Sequence, residues 1–180
     1  REMLSVAAAK TARQARRVTY IWQNAMQLPF PDASFDLVTC LEALEFMPYP
    51  EQVLQEIVRV ARPGSQVLVT HRRGWEGKVM PGKCWSVDDF FSLLCQVGLS
   101  DLRIAPWQRD YSLVWGRAGD GGTDAGRAQF EDLLCCPACR KSGLVRDGSE
   151  FLCMDCDTCY AVVRNGVVEM AATRRPRRRH

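Results

Sequence analysis

No stretch of the chain approaches the roughly 18 consecutive apolar residues of a membrane-spanning helix, so no such span is expected. A broad excess of positive charge is lacking too. The net charge is +3, but the terminal run RRPRRRH (174–180) holds five arginines, and subtracting their five charges leaves −2. A wide nucleic-acid-binding face is therefore not indicated by charge. REMLSV, at the start, has neither an initiator methionine nor the pattern of a secretion signal.

What is present fits one ordinary domain and a small one in 180 residues, with the 47% hydrophobic and 25% charged content of a soluble globular protein. Nine cysteines are many, and six of them fall between Cys135 and Cys159. Cys40, Cys84 and Cys95 are scattered and read as core thiols. Paired cysteines beside unpaired ones suit metal binding in a reducing compartment such as the cytoplasm better than a disulfide framework.

The opening REMLSVAAAKTARQARR reads as a helix, followed by the strand RVTYIW and a second strand FDLVTC. In EQVLQEIVRVARPG, Val53, Leu54, Ile57, Val58 and Ala61 form one helical stripe that Pro63-Gly64 stops. SQVLVT is a third strand. Ser86 and Asp89 form a capping box for a helix over DDFFSLLCQV that buries Phe90, Phe91 and Leu94, with Gly98 as its C-terminal cap. LRIAPWQ and YSLVWGR read as an antiparallel edge hairpin. The alternation before them predicts an α/β domain with a mostly parallel sheet. GRAGDGGTDAGRA is a glycine-rich linker to a cysteine-rich module.

Ligands of open α/β sheets sit beyond the carboxyl ends of the parallel strands. The run from Trp22 to Met26 is such an end, and there Asn24 either caps a turn or hydrogen-bonds a heterocycle edge, with the Ala25 N–H available to a ring nitrogen. The stretch QNAMQLPFPDASFDLVTCLEALEFMPYPEQVLQEIVRVARPGSQVLVT resembles the central part of class I S-adenosylmethionine-dependent methyltransferases, the group that includes ubiquinone and menaquinone methyltransferases. The resemblance extends from about Arg1 to Arg117. It implies a Rossmann-like fold and a cofactor site at Asn24, Ala25, Met26 and Leu41. Asn24 would hold the adenine amino group, Ala25 its ring nitrogen, and Leu41 would border the methionine part. The family more often has Asp where this chain has Asn24.

The family's glycine-rich loop and the acidic residue that holds the ribose have no counterpart here, and REMLSVAAAK resembles the helix directly after that residue. A strand–loop–helix–strand stretch is therefore expected to be missing from the N-terminus, with the first two strands of the sheet. The chain alone is expected not to bind S-adenosylmethionine measurably. Methyl transfer needs mainly alignment of the reactants, so no universal catalytic residue is expected. His71, Arg72, Trp75, Lys83, Trp85 and Tyr111 are candidates to face an unidentified methyl acceptor. Glu42, Glu45, Glu51 and Glu56 read as exposed positions and a helix N-terminal charge.

Cys136-x-x-Cys139 and Cys153-x-x-Cys156, thirteen residues apart, can present four thiolates to a structural zinc, the spacer closing as a hairpin through Arg146-Asp147-Gly148. A redox or disulfide pair is the alternative, and the adjoining Cys135 and Cys159 leave the register open. A module of about 40 residues buries little core by itself, which motivates a metal. LLCCPAC, FLCMDC, Tyr160 and RNGVVEM also resemble the small zinc-ribbon proteins that activate RNA and release-factor methyltransferases, departing from them at Gly166-Val167-Val168.

The expected organisation is a partial methyltransferase domain over 1–117, a linker over 118–129, a zinc ribbon over 130–170 and a basic tail over 171–180. The ribbon and tail are suited to contact RNA or protein, or the tail is simply solvated. The competing reading is a non-catalytic partner, a degenerate Rossmann-like domain whose ribbon binds another protein or RNA.

Overall fold

The structure, a computed structural model, describes residues 2–14, 18–73, 84–121, 130–163 and 166–174. The chain divides into two compact units, one formed by residues 32–126 and the other by 1–31 together with 127–180.

The first strand of the 32–126 unit is β2 (Phe35–Cys40), numbered in chain order after β1 (Ile21–Trp22) of the other unit. Helix α2 (Pro50–Val60) follows, with proline in its first turn, where a missing N–H costs nothing. Its inward stripe is Val53, Leu54, Ile57 and Val60, continued by Ala61, while Val58 is only half-buried. The helix ends at Val60, earlier than the Pro63-Gly64 pair itself, because the residue before a proline avoids helical backbone. Ala61 already opens strand β3 (Ala61–Arg72). Pro63 and Gly64 are accommodated by a bulge: Phe35 pairs with Ala61 but Leu37 with Gln66, and Gly64 takes φ 79° in the protruding segment.

Helix α3 (Val87–Gln96) carries the expected cap, the Asp89 N–H donating to Ser86 Oγ at 3.1 Å, and Gly98 follows it at φ 99°. Phe90, Leu93 and Leu94 are its buried residues, whereas Phe91 is half-buried. Strands β4 (Leu99–Pro106) and β5 (Tyr111–Ala118) form the expected antiparallel hairpin.

The sheet order is β2-β3-β5-β4, with β2, β3 and β4 running in one direction and the antiparallel hairpin at one edge, as expected. Only β2·β3 is parallel; β5 lies between β3 and β4 and runs antiparallel to both. The cause is connectivity. The α3 crossover returns β4 in the direction of β3 but one place away, and the tight turn after β4 drops β5 into the gap.

The other unit contains α1 (Glu2–Lys10), shorter than the predicted helix, a 3-10 turn at Ala12–Gln14, and strand β1 (Ile21–Trp22). A meander follows: β6 (Leu144–Asp147), β7 (Glu150–Cys153), β8 (Cys159–Val162) and β9 (Val168–Arg174). Gly148, at φ 58°, opens the two-residue β6–β7 loop, as the spacer required. Here the structure corrects an expectation. RVTYIW was expected in the α/β sheet, yet β1 pairs in parallel with β9, Ile21 opposite Val168, and the Val168 N–H donates to the Tyr20 carbonyl at 2.9 Å. A two-residue strand must satisfy its backbone somewhere, and the open edge of β9 supplies partners.

Leu134, Cys136, Leu144, Phe151, Cys153, Tyr160, Val168 and Met170 form the core of this unit. The three scattered cysteines are not core thiols: Cys40 and Cys84 are half-buried, and Cys95 is exposed on α3. Among the described residues no helix is long and apolar enough to cross a membrane.

Candidate functional site

The two Cys-x-x-Cys segments adopt the same backbone twice. In the first, the Arg140 N–H donates to the Cys136 carbonyl at 2.8 Å and the Cys136 N–H to the Lys141 carbonyl at 2.9 Å. In the second, the Asp157 N–H donates to the Cys153 carbonyl and the Cys153 N–H to the Thr158 carbonyl, both at 2.9 Å. In each, the residue after the second cysteine is left-handed, Arg140 at φ 65° and Asp157 at φ 56°. This turn aims the next N–H at sulfur: Lys141 N–H bonds Cys139 and Thr158 N–H bonds Cys156.

The four sulfurs converge, all within 4.8 Å of one another, with Cys136–Cys156 and Cys139–Cys153 each at 3.6 Å. A tetrahedron with metal–sulfur bonds of about 2.3 Å has edges of about 3.8 Å, so the donor set fits a four-coordinate metal ion. The Thr158 hydroxyl draws Cys156 down to about 7, whereas burial pushes Cys153 up to about 12. A divalent cation removes the penalty on the buried thiolates. Cys135 and Cys159 are buried but stand outside this four-sulfur group.

At the proposed cofactor residues, Asn24 Oδ1 accepts the Met26 N–H at 3.0 Å and the Asn24 carbonyl accepts the Gln27 N–H at 3.0 Å. Asn24 thus caps a turn, one of the two readings the sequence offered. Asn24, Ala25 and Met26 belong to the unit that carries the cysteine centre, while Leu41, 41% exposed, belongs to the 32–126 unit.

The acceptor-side candidates divide. Arg72 and Tyr111 face each other across the β3·β5 register, with the Arg72 guanidinium 5.8 Å from the Tyr111 ring centre. His71 is buried: Nε2 donates to the Trp85 carbonyl at 2.9 Å and its ring packs 5.2 Å from Phe90. Trp75 and Lys83 lie outside the described residues.

Sequence reasoning missed Glu45. It was expected on the surface, but it is 3% exposed, accepts the Tyr111 hydroxyl at 2.5 Å and lies 4.0 Å from Arg72. Glu56 is buried as well, held by Arg59 through bonds of 2.7 and 2.8 Å. No local pattern announces either; a glutamate in a 3-10 turn or on a helix flank carries no burial signal until its arginine or tyrosine partner is placed. The carboxyl end of β3 thus holds a desolvated carboxylate, a guanidinium and a phenol, a set able to bind a polar group but committed to no single reaction. Elsewhere, a cleft of about 300 Å³ lined by Thr11, Tyr20, Phe130, Arg146, Phe151 and Val168 contains none of the predicted site residues.

Known proteins supply the remaining comparison. Residues 1–69 match the family described as "Methyltransferase domain". The chain is 30% identical to tocopherol O-methyltransferase of Arabidopsis thaliana over 121 residues, 56% of this chain and 35% of that protein. It is 44% identical to demethylmenaquinone methyltransferase of Bacillus licheniformis over 68 residues, 38% of this chain and 29% of that protein. The chain thus spans about a third of the length of these relatives. Among solved structures, an S-adenosylmethionine-dependent methyltransferase from Aquifex aeolicus superposes with TM-score 0.54 at 18% identity, covering 65% of this chain and 64% of that one. The [4+2]-cyclase SpnF superposes equally well, TM-score 0.54 at 18% identity, over 66% of this chain and 64% of that one. These two likenesses concern the fold alone. The sequence matches add that the N-terminal part of this chain is similar to methyltransferase domains.

Proposed function

We propose that this chain is part of an S-adenosylmethionine-dependent methyltransferase in which residues 1–117 supply one side of the cofactor and acceptor sites and residues 130–170 form a zinc ribbon with a structural metal. The family match over residues 1–69 carries the reading. In the proposed site Asn24 Oδ1 keeps a second lone pair for the adenine amino group beside the bond to Met26. Ala25 and Met26 flank the ring, and Leu41 lies along the methionine portion. Zinc is favoured by four thiolate donors, and four protein ligands leave no open position for catalysis. The methyl acceptor approaches the end of β3, where Glu45, Arg72 and Tyr111 converge.

The reading frame upstream of Arg1 provides the test. Extending the protein to include a glycine-rich loop and an acidic strand end restores S-adenosylhomocysteine binding in calorimetry, and Asn24→Ala weakens it about 10-fold. Unrelated upstream sequence, or micromolar binding by residues 1–180 alone, overturns the proposal. A second reading, a non-catalytic partner, is favoured by one observation: β1 pairs with the ribbon strand β9 instead of an α/β sheet. SpnF also shows that this fold hosts other chemistry. An extended protein that binds no cofactor yet captures RNA or a protein would support that reading.

A further inference from the structure

The two halves of the cysteine centre share a backbone but not their side-chain surroundings. Tyr160 is fully buried on β8, and its hydroxyl lies 3.0 Å from Cys136 Sγ and 3.3 Å from the Ala138 nitrogen. The direction of this small chain is fixed by valence. A backbone N–H only donates, so the phenol oxygen accepts from Ala138. Its single proton is left for Cys136, and a metal-bound thiolate can only accept. Thr158, 9% exposed, sits likewise, with Oγ1 3.1 Å from Cys156 Sγ. Cys136 and Cys156 are neighbours on one 3.6 Å edge of the sulfur cluster.

Among the described residues the opposite edge, Cys139–Cys153, has no hydroxyl bonded to it. Cys139 takes the Lys141 N–H, and Cys153 takes the N–H groups of Asp155 and Cys156. Lys141 occupies the place in the first knuckle that Thr158 has in the second, and its ammonium is turned to Asp155 at 3.1 Å. Four thiolates around a divalent cation leave a net charge of −2 in a core where Cys136 and Cys153 are no more than 1% exposed. Such a charge needs donors to stand in for the water it has lost. Phenylalanine and valine would fill the same volumes without hydroxyls, so the oxygens, not the bulk, mark these two positions.

We propose that Tyr160 and Thr158 are the positioning residues of the metal centre, each donating its hydroxyl proton to one thiolate, Cys136 and Cys156, and holding it in coordinating orientation. Outer hydrogen bonds of this kind fix ligand orientation and temper sulfur donation, and their loss commonly costs about 10–100-fold in metal affinity.

The inference rests on the metal reading of the cysteine centre, and its test separates the two. The full chain is loaded with zinc or cobalt(II), and the wild type is expected to bind one equivalent; a wild type that binds none sinks the metal reading itself. In the loaded protein, Tyr160→Phe and Thr158→Val each lower zinc affinity about 10-fold or more in competition with a chelator. Each also moves the sulfur-to-cobalt charge-transfer band to lower energy, because an unbonded thiolate is the stronger donor. Wild-type affinity and band in both variants overturn the proposal. So does lower affinity with an unmoved band, which would leave the side chains a packing role only. Should Tyr160→Phe fail to fold, Thr158→Val decides alone, since its backbone bonds to Cys153 and Cys156 remain.

Discussion

Tyr111 shows what a single buried carboxylate does to its neighbours. Burial and then the bond to Glu45 push the phenol up to about 12, against an ordinary value of about 10. A folded-state value raised above the unfolded one favours the protonated phenol in the folded protein. The stability it contributes is therefore complete below pH about 10 and is lost as pH rises from there to about 12. Tyr160 is shifted in the same direction, so the two must be separated by difference. Denaturant unfolding of wild type and Tyr111→Phe at pH 8 and at pH 11.5 is expected to show the wild-type advantage shrinking at the higher pH. An advantage that does not change with pH would mean that the bond to Glu45 is not formed in solution. At this scale the sequence was only partly legible. The convergence of the four paired cysteines was readable because cysteine pairs at fixed spacing have few other uses. Glu45 was not, because its burial is created by Arg72 and Tyr111, 27 and 66 residues away.

At the level of elements, legibility followed how local the cause was. The α3 capping box, the α2 stripe and the β6–β7 turn depend on residues a few positions apart, and all three formed. Pairing partners depend on the whole chain: the edge hairpin was readable, but its order, with β5 inside β4, was not, and β1 joins the ribbon meander instead of the α/β sheet. One position links the hairpin to packing. Gly116 lies in β5 where the β4·β5 register shifts between Ser100 and Arg103. A Cβ there would come within 2.6 Å of Leu102 Cδ2 and 2.8 Å of the Ser100 carbonyl oxygen. The leucine tip can turn away, but the carbonyl moves only with its strand. Gly116→Ala is expected to destabilise the protein by about 1–3 kcal/mol, seen as a lower denaturation midpoint with an unchanged slope. A neutral or stabilising effect would show that β4 can shift there without cost.

For the molecule as a whole, the metal proposed for the four-cysteine centre would decide how much of the fold depends on it. Two of its cysteines, Cys136 and Cys153, are themselves members of the ribbon core, so taking the ion away leaves repelling or protonated sulfurs inside the packing that holds Leu134, Phe151 and Tyr160. A module this small has little other burial to fall back on. Because β1 is a strand of the same sheet, the loss extends to the N-terminal segment, and the bond from the Val168 N–H to the Tyr20 carbonyl opens with it. The 32–126 unit has a separate core in Leu54, Phe90, Leu94 and Val114 and no sulfur ligand in that cluster. Hydrogen exchange before and after chelation is therefore expected to show Cys153, Tyr160 and Val168 losing protection while Val69 and Val114 keep theirs. Equal loss in both units would contradict this division. Unchanged protection in the ribbon would show that its apolar core suffices without the ion, and the four-cysteine centre would then contribute nothing to the fold.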